Sequence, residues 1–140
     1  MSVTDGVPAQ CELTFRVRYA ETDPMGVVHH ACYFVYFEMG RTELLRAGGH
    51  RYRDLEAAGV LFVVAKAACQ FKQPARYDDE LRLVTRIDRV TRSRIDHSYE
   101  LYRVGDNRLL ATAQTTLACV DRDGQIIAIP DAIAGSLAGA

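Results

Sequence analysis

Residues 18–45, RYAETDPMGVVHHACYFVYFEMGRTELL, decide the fold, because this stretch joins the end of a strand to a long amphipathic helix. Tyr33, Phe37 and Leu44 recur at helical spacing, which predicts a helix over residues 30–47. The glycines at 48 and 49 supply a stop signal after that helix. Upstream, Pro24 and Gly26 are turn-forming residues, so we expect a loop over residues 20–29.

The stretch also places Asp23 shortly before the start of the helix. The first backbone N–H groups of a helix lack intrahelical acceptors and carry partial positive charge, so they can stabilise an oxyanion. A carboxylate beside them can attack a carbonyl or deprotonate water. The arrangement predicts an acyl-transfer site, and the alternative is that Asp23 only forms a turn or caps the helix.

The composition is that of an ordinary globular domain. The chain has 140 residues, of which 49% are hydrophobic and 25% charged, and its net charge is −1. We expect one domain over residues 11–140 after a frayed leader at 1–10. The near-zero charge argues against broad binding to nucleic acid or to a membrane surface.

The sequence also lacks targeting and cofactor signals. It has no apolar run of the roughly 20 residues that span a bilayer, and no signal peptide at its start. Its four cysteines show no metal-type spacing, so we expect reduced thiols, no metal and a cytoplasmic protein. Neither GxGxxG nor a P-loop occurs, so no nucleotide cofactor is expected.

Alternating polarity predicts strands after the helix. We expect a short helix at 50–59 and strands at 12–19, 60–72, 80–90, 94–104, 109–120 and 125–129. In the first strand Leu13, Phe15, Val17 and Tyr19 should share one face. One long helix against a curled antiparallel sheet of five or six strands is an α+β fold. One helix covers one face only, so the partly polar outer face should need a second subunit.

Other polar residues have two interpretations each. Glu38 could act as an acid from the helix, or it could form an ion pair with Arg41. Arg92, Ser93 and Arg94 could bind phosphates, or they could be the solvated tip of a hairpin. His29 and His30 belong to no complete ligand set; His30 could contribute its backbone N–H to an oxyanion site.

The quoted stretch resembles the signature of hotdog-fold acyl-CoA thioesterases of the hydroxybenzoyl-CoA thioesterase and YbgC type, and the likeness continues through ARYDDELRLVTRI at residues 75–87. The resemblance implies a helix wrapped by the sheet, subunits paired edge to edge as a homodimer within a homotetramer, and active sites at the dimer interface. It also implies that Asp23 is the catalytic carboxylate and that the His30 N–H polarises the thioester carbonyl. Gly26 and Val27 would bind substrate.

In the same resemblance, Arg92, Ser93 and Arg94 correspond to residues that contact the phosphates of coenzyme A, and Glu38 is a secondary site residue. Many relatives have Tyr-His at positions 29 and 30, and Asn at the position of Cys32. These differences put the identity of the substrate in doubt.

We therefore expect a thioesterase that hydrolyses an acyl-CoA or acyl-carrier-protein thioester without a cofactor. Asp23 would be the nucleophile of an anhydride route or the general base for water. The alternatives are a hotdog hydratase or dehydratase using His30 and Glu38, a module that binds acyl groups without turnover, and a scaffold with a vestigial site.

Overall fold

The computed structural model describes residues 10–133. The elements are β1 (Gln10–Arg16), α1 (His30–Ala47), α2 (Tyr52–Ala57), β2 (Leu61–Phe71), β3 (Glu80–Val90), β4 (Arg94–Arg103) and β5 (Arg108–Val120). All strand pairs are antiparallel, and the sheet has the order β1-β3-β4-β5-β2. The predicted α+β arrangement of one long helix on an antiparallel sheet is confirmed.

Helix α1 packs on one face of this sheet and begins and ends where the sequence predicts. Tyr33, Phe37 and Leu44 are buried against it, as the helical spacing requires. Gly40 marks the closest approach, because a Cβ atom there would lie only 2.2 Å from Oγ1 of Thr85 on β3. Only a residue without a side chain allows the helix backbone to lie this near the strand.

The first strand is shorter than predicted. It ends at Arg16, and residues Tyr19–Glu21 form a turn of 3-10 helix. Tyr19 is 78% exposed, so its assignment to the buried face of the strand was wrong. The reason is a local hydrogen bond, in which the Arg18 N–H donates to the Glu21 carboxylate and closes the turn.

The sixth predicted strand, at residues 125–129, does not form. Residues 125–129 contribute a single bridge, between Val120 and Ile126, and Ile126 is 59% exposed. The sheet of the described region therefore has five strands. Gln10, assigned to the leader, already belongs to β1, whereas residues 1–9 and the end of the predicted domain at 134–140 lie outside the described residues.

Exposed apolar side chains are found on β2 and on α1, where Val35 is 50% exposed. On the outer face Arg86 pairs with Glu100 at 2.8 Å, and the Arg82 guanidinium lies 4.5 Å from the centre of the Tyr102 ring. Strand β2 has a free edge, and its Val64 and Phe71 side chains are 50% and 51% exposed. A register shift between Val64 and Lys66 interrupts the regular pairing of β2 with β5.

The four cysteines are free thiols; Cys119 is buried and the others are half-buried. Over residues 10–133, no helix combines the length and apolar character needed to cross a bilayer.

Candidate active site

Asp23 begins a tight turn that fixes its carboxylate. The Gly26 N–H donates to the Asp23 carbonyl at 2.9 Å, and the Asp23 N–H donates to the Val27 carbonyl at 2.9 Å. Gly26 has a φ of 80°, which favours glycine at this position. One carboxylate oxygen of Asp23 accepts the Met25 N–H at 2.9 Å, and within residues 10–133 the other has no hydrogen-bond partner. The turn thus presents a half-buried carboxylate with one free oxygen.

The loop around Asp23 is fastened on both sides. The Val28 N–H donates to the Ala75 carbonyl at 2.8 Å, which ties the loop to the segment before β3. The His29 N–H donates to the Glu21 carbonyl at 2.9 Å, and Thr22 and Val28 form a bridge across the loop. The chain from 21 to 29 is therefore a closed, hydrogen-bonded hairpin that leads directly into α1.

Glu21 connects this hairpin to the helix, and the sequence analysis missed it. Its carboxylate accepts the Tyr36 hydroxyl and the Arg18 N–H, each at 2.8 Å, and it pairs with the Arg18 guanidinium at 2.9 Å. Burial alone would raise the pKa of the Glu21 carboxyl, but these donors outweigh burial and hold the pKa below its ordinary value. A tyrosine on the buried face of α1 needs a hydrogen-bond partner for its hydroxyl. That requirement was the feature of the sequence that could have pointed to a buried partner such as Glu21.

The start of α1 leaves one donor free. The His29 imidazole caps the helix, since its Nδ1 accepts the Ala31 N–H at 3.1 Å, and the Cys32 N–H donates to the His29 carbonyl at 2.9 Å. The N–H of His30 has no acceptor within the described part of the chain. The two histidine rings stack on each other with centroids 4.3 Å apart. The helix therefore offers the His30 N–H to a ligand at the side of the Asp23 loop.

A cavity of about 250 Å³ opens beside this donor. One wall comes from the first turn of α1, through His30 and Tyr33. Another comes from Phe71, the last residue of β2, and from Lys72, which follows it. Tyr33 is buried, and its ring meets the Phe71 ring edge to face at 4.9 Å. The cavity can hold an apolar group next to the free N–H.

The other predicted site residues lie elsewhere in the chain. Glu38 is two helical turns beyond His30, or about 12 Å along the axis; it is 67% exposed and 4.0 Å from Arg41. The turn at 92–94 is joined to β5 and to residue 129 through the carbonyls of Ser93 and Arg92.

That turn lies at the end of β3 away from Asp23. The loop that carries Asp23 contacts the first end of β3, where the Val17 N–H donates to the Asp79 carbonyl at 3.0 Å. The 11 residues of β3 place its two ends roughly 33 Å apart. A single chain thus brings Asp23, Gly26, Val27 and His30 together, but not Arg92, Ser93 or Arg94. Within residues 10–133 no three His, Cys, Asp or Glu side chains are grouped so that they could hold a metal ion.

Most of the chain is similar to known proteins. The model of the thioesterase-like superfamily matches residues 17–137. The acyl-CoA thioester hydrolase YbgC of Escherichia coli is 37% identical over 106 residues, 76% of this chain and 78% of that protein. The putative acyl-CoA thioesterase YneP of Bacillus subtilis is 36% identical over 107 residues, 76% of this chain and 77% of that one.

Among solved structures, a hypothetical protein from Aquifex aeolicus superposes with a TM-score of 0.85 and 32% identity, covering 91% of this chain and 98% of the other. A 1,4-dihydroxy-2-naphthoyl-CoA thioesterase from Synechocystis, at 20% identity, shares the fold with a TM-score of 0.86. The family model covers the Asp23 loop, both helices and strands β2 to β5. The chain belongs to the thioesterase-like superfamily, as a hotdog-fold member of the YbgC type of acyl-CoA thioesterase.

Proposed function

We propose that this protein hydrolyses an acyl-CoA thioester at the junction of the Asp23 loop and α1. The observation that carries the proposal is the pairing of a free helix-start N–H, at His30, with a carboxylate that has one free oxygen, at Asp23. Asp23 lies in the hydrogen-bonded hairpin of residues 21–29, and His30 is the first residue of the helix that follows it, so their relative position is set before substrate arrives. An oxyanion donor and a carboxylate are the groups that thioester hydrolysis requires.

In the reaction the thioester carbonyl accepts the His30 N–H, and Gly26 and Val27 shape the turn beside it. Asp23 removes a proton from water as water attacks the carbonyl carbon, or attacks that carbon itself and forms an anhydride that water then opens. In both routes the C–S bond breaks, the thiolate of coenzyme A takes up a proton, and the acyl group leaves as a carboxylate. The residues of this chain need no cofactor other than the coenzyme A of the substrate.

The substrate class follows from the relatives. YbgC and YneP carry names that specify acyl-CoA thioesters, and this chain covers more than three quarters of each of them. An acyl-CoA is therefore the first choice of substrate, and an acyl-carrier-protein thioester is the second.

The site is completed by a second copy of the chain. Strand β2 has a free edge and exposed apolar side chains, and a two-fold axis perpendicular to the sheet pairs such an edge with its own copy in antiparallel direction. The two β2 strands then run in opposite directions. The first residues of β2 in one subunit therefore lie beside the last residues of β2 in the other. This pairing brings the turn at 92–94 of the partner subunit, with its two arginines, toward the coenzyme A end of the first site.

The experiment is thiol release from a panel of short, long and aromatic acyl-CoAs, with the wild type and Asp23→Asn. Asparagine keeps the side-chain oxygen that accepts the Met25 N–H, so the turn survives while the charge is removed. We expect a loss of about 10²-fold or more, which corresponds to ~2.7 kcal/mol of barrier. Asp123→Asn, in the exposed turn after β5, is the matched control and should retain wild-type rates.

Each other outcome has a definite meaning. Equal activity of the wild type and Asp23→Asn would show that Asp23 is only a turn residue. Hydrolysis of acyl-carrier-protein thioesters alone would change the substrate class, and no hydrolysis of either class would refute the proposal. Single turnover in oxygen-18 water tests for the anhydride, because label enters the Asp23 carboxylate only when water opens an anhydride at the Asp23 carboxyl carbon.

A further inference from the structure

A second cavity, of about 230 Å³, lies on the helix side of the sheet at the opposite end of β2. Helices α1 and α2 form one wall through Glu38, Arg41 and Tyr52, and Phe62 of β2 with Leu117 of β5 forms the other. The cavity therefore combines an apolar floor with charged groups at its rim.

Arg41 is the unusual member of this lining. Its side chain is only 10% exposed, and the nearest carboxylate is that of Glu38 at 4.0 Å, which is 67% exposed. Its positive charge is close enough to influence the pKa of Tyr99 and of His97 on β4. Burial, and then the positive charge of Arg41, lower the pKa of His97 to about 4, so that ring is neutral at neutral pH.

A guanidinium has five N–H donors and cannot lose its charge in a protein. Among residues 10–133, Arg41 has one carboxylate at the limit of ion-pair distance, and the Tyr99 hydroxyl lies near it. A cation that is nine-tenths buried with so few acceptors is stabilised by any further acceptor that enters the cavity.

The dimer of the proposed function places this cavity at the thioester site of the other subunit. The cavity beside His30 is lined by the last residue of β2, Phe71, whereas the second cavity is lined by Phe62, near the first. Antiparallel pairing of two β2 edges sets the last residues of one strand against the first residues of the other. The two cavities of one chain are far apart, but the second cavity of the partner adjoins the first.

We propose that Arg41 and Glu38 of the partner subunit bind the distal end of the acyl group and select acyl groups that carry a neutral hydroxyl there. The inference rests on the proposed function and adds a specificity site to it. A hydroxyl can accept from the guanidinium and donate to the carboxylate, while Phe62 and Leu117 contact the hydrocarbon. A carboxylate end is disfavoured, since Glu38 and Glu56 give the lining two negative charges against one positive charge.

The class of acyl group that the cavity prefers can be tested by measuring the binding of thioethers, which the protein cannot hydrolyse. Paired alkyl and ω-hydroxyalkyl thioethers of coenzyme A, from butyl to decyl, are titrated calorimetrically into the wild-type protein, with ω-carboxyalkyl thioethers as a third series. At the best length the hydroxyl should tighten binding about 10-fold or more, as expected for a hydrogen bond to a charged group. We compare the ratio of the Kd of the alkyl thioether to the Kd of the hydroxyalkyl thioether. Arg41→Met should bring this ratio close to one, and Arg41→Lys should give an intermediate ratio. Glu43→Gln, outside the cavity, should keep the wild-type ratio.

A mixed dimer tests which subunit supplies Arg41. An Asp23→Asn chain and an Arg41→Met chain are coexpressed with different tags, and the heterodimer is assayed with hydroxyacyl-CoA and plain acyl-CoA. If Arg41 acts across the interface, one site has Asp23 and Arg41 both intact, so the preference for hydroxyacyl substrate equals that of the wild type at about half the rate. If Arg41 acts within its own subunit, the only active site lacks it and the preference disappears.

The outcomes separate the two proposals. Equal affinity for alkyl and hydroxyalkyl thioethers, a preference for the carboxyalkyl series, or an unchanged ratio in both folded Arg41 variants would overturn the specificity site. Absence of thiol release from every thioester would overturn the proposed hydrolysis, while the thioether ratios would still decide the role of Arg41.

Discussion

The backbone N–H of His30 can be deleted with a single substitution, His30→Pro. His30 is the first residue of α1, where proline is well tolerated because an N–H at this position has no intrahelical acceptor. The preceding residue, His29, already has the extended φ and ψ of −61° and 138° that a following proline requires. The variant should therefore fold with nearly the stability of His30→Ala, the control that removes the imidazole and keeps the N–H.

The expected effect falls on turnover. Removal of one oxyanion donor costs about 10²–10³-fold in kcat, or ~2.7–4 kcal/mol, when the donor acts on the developing charge. We expect His30→Pro to lose this amount in a thiol-release assay, with KM changed much less, and His30→Ala to stay within a few-fold of wild type. Equal activities of the two variants, with thermal unfolding showing that both are folded, would refute the assignment of the oxyanion donor.

Four further predictions concern the supports of the site and the proposed dimer edge. Tyr36→Phe removes a buried hydrogen bond to the Glu21 carboxylate and should lower the free energy of unfolding by about 1.5–3 kcal/mol in urea titrations. Because the pKa of Glu21 is lowered from 4.5, its carboxylate stabilises the fold above that pH; the deficit of Glu21→Gln at neutral pH should shrink as the pH falls through the lowered pKa. Gly40→Ala should destabilise by about 1–3 kcal/mol, because its Cβ would lie 2.2 Å from a β3 side chain, whereas Gly105→Ala, which has open space around it, should change stability little. Val64→Lys puts a charge on each copy of the paired edge and should shift the protein to monomers in light scattering, with loss of turnover; an unchanged dimer would contradict β2 pairing.

Much of the fold could be predicted from the sequence because its elements are locally determined. The bounds of α1 follow from its helical apolar spacing and the glycine at 48, and β3 follows from strict alternation of Leu81, Leu83 and Ile87 with charged residues. Residues 125–129 alternate in the same way, yet they form one bridge, because pairing of a short final segment depends on tertiary neighbours that periodicity does not report.

The local geometry of the candidate site could be predicted where its residues are contiguous in sequence, and not where folding brings distant residues together. Asp23, Gly26 and His30 lie within eight residues of one another, so the order of turn and helix is enough to predict their arrangement. Glu21 was missed because its role depends on Tyr36, 15 residues away on the helix. The burial of Arg41 was missed for a similar reason: its spacing from Glu38 indicates a surface ion pair, and only the position of α2 and β4 covers it.

The close contact at Gly40 fixes the position of the helix whose first N–H groups face the candidate site. Sliding α1 along β3 would bring a neighbouring side chain into the space that Gly40 leaves against Thr85, so the helix is fixed in its axial position. Dipoles of liquid water must reorient as charge moves during acyl transfer, and that reorganisation is part of the barrier in solution. In the proposed mechanism the His30 N–H is oriented once, when the chain folds, and contributes almost no reorganisation energy to each turnover.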